Sequence, residues 1–289
     1  MVLKFWGTRG SIPVPGKNTI KYGGNTPCVE IRSRTNKLII LDCGSGLREL
    51  GNYMEDKGSP DEINILLSHY HWDHIQGFPF FKPLYNKTKK IIFYGMTSNG
   101  EDVKHLLSKQ MTENYFPLSI DSLKAEMDFK QIESGKIYSI NGFKIETFLV
   151  AHPSPTLTYK ISNGEKNIVY MTDNEINLEA LFKDNKDSDF HYHNRELIDF
   201  CSGCDYLIHD SMYEEASVYD KRGWGHSSNK SLARFSILAG IKNLVLFHYN
   251  PDYTDEKIDE LVADTRKVLE ENNSKITCIA AAEGLEISF

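Results

Sequence analysis

The sequence lacks the features that mark secreted, membrane-spanning and strongly basic proteins. Its 289 residues contain five cysteines, an odd number with no paired spacing, which argues against a secreted disulfide framework. No run approaches the roughly 18 apolar residues of a membrane span, and the first residues do not resemble a signal peptide. The formal net charge is −7. That charge argues against a large nucleic-acid partner, although a local basic patch can still bind RNA. We therefore expect a soluble cytoplasmic protein.

What the sequence does contain is an apolar run that leads into a cluster of metal-capable side chains. Residues 63–67 are typical of a buried strand, and His69, His71, Asp73 and His74 follow it. In an extended segment, two imidazoles at i and i+2 point the same way, whereas the last two side chains begin a predicted helix. Imidazole and carboxylate groups suit a borderline metal such as zinc. The spacing favours two adjacent ions over one, and the alternative is a polar turn that happens to be rich in histidine.

The motif His-x-His-x-Asp-His at residues 69–74, placed after an apolar strand, resembles the signature of the metallo-β-lactamase superfamily. The resemblance implies an α/β fold, an αββα sandwich in which two mixed β-sheets pack face to face with helices outside. It also implies a single domain over residues 1–289. The signature is shared by lactamases, nucleases, phosphodiesterases and thioesterases, so by itself it does not choose an activity.

Three other apolar runs end in a metal-capable side chain, namely His152, Asp173 and His248. A polar residue just past a buried strand is where α/β folds place their chemistry. A single strand-end histidine is more often structural, but three such ends beside the first motif favour a shared site. The resemblance implies two divalent ions, with zinc expected and manganese as the alternative. It implies two ligand groups bridged by Asp173: His69, His71 and His152 in the first, and Asp73, His74 and His248 in the second. Asp73 also counts among the expected catalytic residues.

Two later segments resemble the His-Ser-Thr loop and the His-Glu strand end of tRNase Z and its phosphodiesterase relatives. They are Gly-Trp-Gly-His-Ser-Ser at 223–228 and the pair His209–Asp210. The resemblance implies that His226 donates a proton to the leaving oxygen, that Asp210 orients it and raises its pKa, and that Ser227 contacts the substrate. Asp210 stands where the relatives carry Glu, so its reach is shorter. The alternatives are that His226 caps the following helix and that His209 is structural.

Two other motifs have weaker metal-site patterns. The pair His191 and His193 has the spacing of a metal site, but no apolar strand leads into it. The pair Cys201 and Cys204 has no second cysteine pair, so packing at a helix end is favoured over a structural zinc.

The opening of the chain resembles a narrower branch of the superfamily. Residues 5–13 (Phe-Trp-Gly-Thr-Arg-Gly-Ser-Ile-Pro) and 23–26 (Gly-Gly-Asn-Thr) resemble small cyclic-nucleotide phosphodiesterases, among them the phage anti-Pycsar proteins. The resemblance implies hydrolysis of 3′,5′-cyclic nucleotides to nucleoside monophosphates, which counteracts cyclic-nucleotide immune signalling. It also implies a homodimer in which a partner loop closes the site. Tyr115 either stacks on a base or simply packs, and Arg9 either holds phosphate or pairs with a surface carboxylate.

The main alternative is an RNA phosphodiesterase of the tRNase Z group that processes tRNA 3′ ends. The usual bacterial enzymes carry a long arm rich in glycine and proline, and neither 101–121 nor 174–194 has that composition. Two further alternatives are a metal-binding protein without catalysis and a different hydrolase, such as a thioesterase or lactonase. A panel of cyclic nucleotides separates these possibilities.

Overall fold

The computed structural model describes residues 1–177 and 194–289. In these residues, two mixed β-sheets of seven strands each pack face to face. The strands of the first sheet are β1 (Val2–Gly7), β2 (Cys28–Arg32), β3 (Leu38–Leu41), β4 (Glu62–Leu66), β5 (Lys90–Gly95), β6 (Glu126–Gln131) and β14 (Glu286–Ser288). Their order is β14-β1-β2-β3-β4-β5-β6, antiparallel from β14 to β3 and parallel from β3 to β6.

The second sheet has the same division into an antiparallel and a parallel half. Its strands are β7 (Ile137–Ile140), β8 (Phe143–Val150), β9 (Thr156–Ser162), β10 (Asn167–Met171), β11 (Tyr206–Asp210), β12 (Asn243–Phe247) and β13 (Thr277–Ala280). Their order is β13-β12-β11-β10-β9-β8-β7, parallel from β13 to β10 and antiparallel from β10 to β7.

Helices cover the outer face of each sheet. The first sheet packs against α1 (Gly46–Lys57), α2 (Trp72–Ile75) and α3 (Val103–Ser108). The second packs against α4 (Arg195–Cys201), α5 (Glu215–Val218), α6 (Asn229–Ala239) and α7 (Asp255–Glu271). None of the helices in the described residues combines the length and apolar character that a bilayer crossing requires.

A third apolar cluster fills the space between the two sheets. Phe5 of β1 contacts Phe247 of β12, with ring centroids 5.9 Å apart, and Tyr170 of β10 lies 5.8 Å from the same ring. Residues of β4 are buried on both faces of the sheet, which is why the strand is a nearly unbroken apolar run. The predicted αββα sandwich of two mixed sheets is therefore confirmed.

Helix α3 is followed directly by a 3₁₀ turn at Lys109–Met111. The helix begins after Asp102, which is its N-cap and accepts the backbone N–H of His105 at 2.8 Å. Both Cys201 and Cys204 are buried, and no group of three metal-capable side chains in the described residues includes them. The His191–His193 pair lies outside the described residues.

Candidate metal centre

Strand ends from both sheets meet at one edge of the sandwich. The chain leaves β4 towards His69 in the first sheet. In the second sheet it leaves β8 towards His152, β10 towards Asp173 and β12 towards His248. Asp173 and His248 have left-handed backbone conformations, with φ of 46° and 55°. Such conformations cost a non-glycine residue on the order of 1–3 kcal/mol, and they cluster at functional sites.

The first ligand group combines three imidazoles with one carboxylate. The ligand atoms of His69, His71, His152 and Asp173 all lie within 4.8 Å of one another. His152 Nε2 is 3.0 Å from His71 Nδ1, and His69 Nε2 is 3.6 Å from Asp173 Oδ2.

The second ligand group consists of Asp73, His74 and His248, again with ligand atoms within 4.8 Å of one another. His248 Nε2 lies 3.2 Å from Asp73 Oδ2 and 3.2 Å from His74 Nε2. Asp173 Oδ1 is 3.2 Å from His74 Nε2 and 3.1 Å from His248 Nε2. Asp173 therefore directs one oxygen to each group, which is the arrangement of a bridging ligand. The structure brings all seven predicted ligands together.

The ligand atoms are arranged to bind two divalent cations and are poorly arranged to hydrogen-bond to one another. The Nε2 atom of His69 is buried without a hydrogen-bond partner among the described residues. Imidazole nitrogens also face each other at 3.0 Å and 3.2 Å in the two groups. A buried polar atom is costly unless it has a partner, and a shared cation satisfies several imidazoles at once. Three histidines with a shared carboxylate are also a ligand set typical of zinc.

At His69, His152 and Asp173 the electrostatic environment favours the protonation states that metal ligands need, whereas at His74 it favours a proton. Burial lowers the pKa of His69 well below its usual value and that of His152 to about 4, so both imidazoles are neutral. Burial would raise the pKa of Asp173, but nearby imidazoles, with His248 and His74 foremost, hold it well below its usual range. Burial would lower the pKa of His74, yet the surrounding carboxylates raise it well above the usual value. A cation held by Asp73, His74 and His248 would take the place of that proton.

Asp42 orients the second group, although the sequence analysis assigned it no role. It follows β3, is fully buried and has a left-handed φ of 60°. Its Oδ2 accepts hydrogen bonds from His74 Nδ1 at 2.8 Å and Tyr170 Oη at 2.7 Å, and both of its oxygens accept from Ser68. Because a carboxylate only accepts, Nδ1 of the histidine carries the proton and Nε2 is free for a metal. The position of Asp42 directly after the apolar run of β3 is the sequence signal that could have identified it as a site residue.

The predicted proton donor stands beside both ligand groups. His226 Nδ1 donates to Asp210 Oδ2 at 2.9 Å, so the shorter Asp side chain does reach it. A ring nitrogen of His226 lies within 4.8 Å of ligand atoms of Asp173 and His248. Burial would lower the pKa of His226, but the carboxylate of Asp210 raises it to about 9. The N-cap of α6 is Ser228, so the alternative of a helix-capping histidine is not what the structure shows.

His209 holds the segments that carry Asp210 and Asn174. Its Nδ1 donates to the backbone oxygen of Asp210 at 2.7 Å, and its Nε2 accepts from Asn174 Nδ2 at 3.1 Å. The ring is fully buried, which agrees with the alternative that His209 has a structural role.

Two predicted substrate contacts have other roles in the structure. Arg9 is fully buried, and it donates to the backbone oxygens of Gly23 at 2.8 Å and Tyr253 at 2.6 Å beside the carboxylate of Asp255. It therefore joins two loops instead of facing a phosphate. Ser227 Oγ is buried and bonded to backbone atoms, as described below, so it does not face a substrate either.

Tyr115 lies on an exposed turn. It is 81% exposed, and the adjacent Phe116 packs on Phe80 with ring centroids 5.5 Å apart. The turn adjoins the metal motif, because Gln110 Nε2 donates to the backbone oxygen of Ile75 at the end of α2.

Comparison with known proteins identifies the family. The family model described as anti-Pycsar protein Apyc1 matches residues 29–261, a span that contains every proposed ligand together with His226 and Asp210. The chain belongs to the Apyc1 family. Together with the fold and the ligand groups, this makes it a metal-dependent hydrolase of the metallo-β-lactamase superfamily.

Other relatives of this Apyc1-family chain are similar over its whole length. Ribonuclease Z of Thermoplasma volcanium is 26% identical over 304 residues, covering 93% of this chain and 92% of that protein. The metallo-β-lactamase fold protein YhfI from Bacillus subtilis superposes with a TM-score of 0.69 at 18% identity, covering 99% of this chain and 98% of that one. The short form of human tRNase Z superposes with a TM-score of 0.64 at 17% identity, covering 100% and 99%. At these identities the solved structures show the shared fold.

Proposed function

We propose that this protein is a two-metal phosphodiesterase that hydrolyses 3′,5′-cyclic nucleotides to nucleoside monophosphates. The observation that carries the proposal is the His226–Asp210 pair beside the bridging Asp173. A sugar alkoxide is a poor leaving group and needs a proton, which this imidazole can donate. A lactamase has less need of such a group.

The residues divide the reaction between them. The two ligand groups would hold two divalent ions, which would lower the pKa of a bound water and neutralise charge on the phosphoryl oxygens. As the bond from phosphorus to the sugar oxygen breaks, His226 donates its Nε2 proton to that oxygen. Asp210 holds Nδ1 and stabilises the imidazolium before transfer. Asp73 Oδ2 accepts the backbone N–H of Ser11 at 2.7 Å, and we expect this held carboxylate to orient the attacking water.

The space beside the site suits a small substrate. A cavity of about 500 Å³ adjoins the first ligand group, and His152, Glu175 and Gly225 are among its lining residues. That volume lies in the range of small-molecule sites, about 300–1,000 Å³. The net charge of −7 also favours a small phosphodiester over a long RNA. The family match to Apyc1 supports the same substrate class.

The second candidate is RNA 3′-end cleavage, which the full-length similarity to ribonuclease Z favours. The proposed catalytic residues suit both reactions. The two activities therefore differ only in which substrate is bound. An RNA substrate predicts affinity that falls steeply with salt concentration, because several phosphates are contacted.

The test is a substrate panel with the metal-loaded protein. Zinc- or manganese-loaded protein is incubated with the 3′,5′-cyclic forms of AMP, GMP, CMP and UMP, and separately with a tRNA precursor carrying a 3′ trailer. Release of nucleoside monophosphates, lost in His226→Ala by about 10²–10⁴-fold, supports the proposal. Cleavage of the RNA alone supports the second candidate. Turnover of neither phosphodiester refutes both.

We also propose a homodimer in which the exposed Tyr115 turn of one subunit approaches the site of the other. Its position beside α2, next to the metal motif, supports this arrangement. Sedimentation equilibrium of the wild type and of Tyr115→Ala tests it, and a monomeric wild type would contradict it.

A further inference from the structure

The segment immediately after the bridging aspartate contains a carboxylate that neither the ligand groups nor the proton donor uses. Glu175 lies two residues beyond Asp173, and its backbone N–H donates to the oxygen of Ala151 at 2.8 Å. Ala151 directly precedes the ligand His152. The backbone of Glu175 is therefore tied to the end of β8, inside the framework of the site.

The side chain of Glu175 binds the backbone of the loop that carries His226. The N–H of Gly223 donates to Oε2 at 2.8 Å and to Oε1 at 3.0 Å. The N–H of Gly225 donates to Oε2 at 2.9 Å. Both glycines have left-handed conformations, with φ of 77° and 82°, so their N–H groups converge on one anion. One carboxylate thus holds the loop on either side of Trp224.

The same loop is held by a metal ligand on its other face. Gly225 O accepts a hydrogen bond from His152 Nδ1 at 3.1 Å. A Cβ atom at Gly225 would lie only 2.0 Å from that nitrogen, so the chain passes against the imidazole. The loop therefore lies between Glu175 and His152, one residue before His226.

The residue after the proton donor is fixed by the same segment. Ser227 Oγ donates to the backbone oxygen of Asn174 at 2.6 Å and accepts the N–H of Ile176 at 3.0 Å. Residues 174–176 therefore bind the chain on both sides of His226. Asn174 and Ile176 make their contacts with Ser227 through backbone atoms, so within residues 174–176 it is the contacts of Glu175 that a side-chain substitution removes.

We propose that Glu175 is a positioning residue for the proton donor. By binding the N–H groups of Gly223 and Gly225, its carboxylate holds His226 at the distance from the ligand groups where proton transfer to the leaving oxygen is possible. This inference rests on the proposed phosphodiesterase function. A displacement of about 1 Å from productive geometry can lower a rate on the order of 100-fold.

The activity test compares two leaving groups at saturating metal. A sugar alkoxide from a cyclic nucleotide needs the proton of His226, whereas p-nitrophenolate from bis(p-nitrophenyl) phosphate leaves without one. We expect Glu175→Ala to lower kcat about 10- to 100-fold on the cyclic nucleotide and less than about 3-fold on the p-nitrophenyl ester. Glu175→Gln keeps one acceptor oxygen and should be intermediate. The matched control is Glu165→Gln on an exposed turn, which should equal the wild type.

A second readout does not depend on catalysis. Amide hydrogen exchange followed by mass spectrometry reports on the N–H groups of Gly223 and Gly225, which Glu175 protects. Exchange in the peptide that contains them should be faster in Glu175→Ala and unchanged in Glu165→Gln. This measurement tests the inference even if the wild type hydrolyses no phosphodiester, an outcome that would refute the proposed function alone.

Several results would overturn the inference. An equal loss on both substrates shows a general defect, and a loss that excess metal reverses shows an effect on the ligand group. Unchanged exchange shows that the carboxylate does not hold the loop. A Glu175→Ala, His226→Ala double variant that loses the product of the two single losses shows independent action, whereas the proposal predicts little loss beyond that of His226→Ala.

Discussion

Asp42→Asn should weaken metal binding although Asp42 itself is not a ligand. Asp42 Oδ2 accepts from His74 Nδ1, Ser68 Oγ and Tyr170 Oη, all at 2.7–2.8 Å. An amide nitrogen at that position donates, so the two hydroxyls must turn round and His74 Nδ1 must lose its proton. The proton then moves to Nε2, which is the atom that faces the second ligand group. The substitution is nearly isosteric, so it changes the tautomer with little change of shape.

Loss of a partner that orients a ligand typically costs 10- to 100-fold in metal affinity or activity. That range corresponds to roughly 1.4–2.7 kcal/mol. Competition with a chromophoric chelator measures the two zinc affinities separately. We expect only one of them to fall, namely the affinity of the group formed by Asp73, His74 and His248. Hydrolysis of bis(p-nitrophenyl) phosphate at limiting zinc should fall in parallel.

Tyr170→Phe is the matched control for this substitution. It removes one hydrogen bond to Asp42 and leaves the bond to His74 in place. We expect zinc affinity within about 3-fold of wild type and a free energy of unfolding lower by about 1 kcal/mol. If Asp42→Asn also binds both ions within about 3-fold of wild type, the tautomer argument is refuted.

Three further substitutions test other contacts of the site and the fold. Asp210→Asn removes the carboxylate that raises the pKa of His226. The donor then loses its proton at lower pH, so the alkaline limb of the kcat–pH profile should move to lower pH. Gly225→Ala places a Cβ against His152, so we expect reduced zinc content by elemental analysis together with reduced activity. Arg9→Met leaves Asp255 without its buried partner, so urea denaturation should show a loss of about 3 kcal/mol with KM unchanged. A raised KM would instead restore Arg9 as a substrate contact.

The sequence predicted those parts of the site that follow buried strands. The apolar runs of β3, β4 and β12 are recognisable because both faces of these parallel strands are covered. Asp173 and His248 are predictable because each stands just after such an apolar run. Asp42 follows β3 in the same way, but the sequence analysis assigned it no role. Applying the strand-end rule to carboxylates as consistently as to histidines would have found it.

Other contacts have no signal in the local sequence. Arg9 lies in a segment rich in glycine and proline, a composition that indicates an exposed loop. It is buried because carbonyl groups from Gly23 and Tyr253 surround it, and the second of these is far away in the chain. Glu175 is similar, since its partners are the backbone N–H groups of Gly223 and Gly225. A backbone donor is present at every residue except proline, so no residue type marks it.

Directional bonds between the sheets set the geometry of the site more closely than apolar packing can. Tyr170 of the second sheet donates to Asp42 of the first at 2.7 Å, and Tyr159 donates to the backbone oxygen of Leu67, two residues before His69. Apolar contacts between two sheets tolerate small sliding, because burial is non-directional. Hydrogen bonds do not tolerate it, since they weaken steeply with misalignment. Asp173 comes from the second sheet and must reach ligands of the first at 3.2–3.6 Å. We infer that these two buried hydroxyls together hold the sheets in the register that lets one carboxylate serve both ligand groups. Tyr170→Phe removes one of the two bonds and leaves that of Tyr159 to keep the register, which is why zinc affinity should change little in that variant.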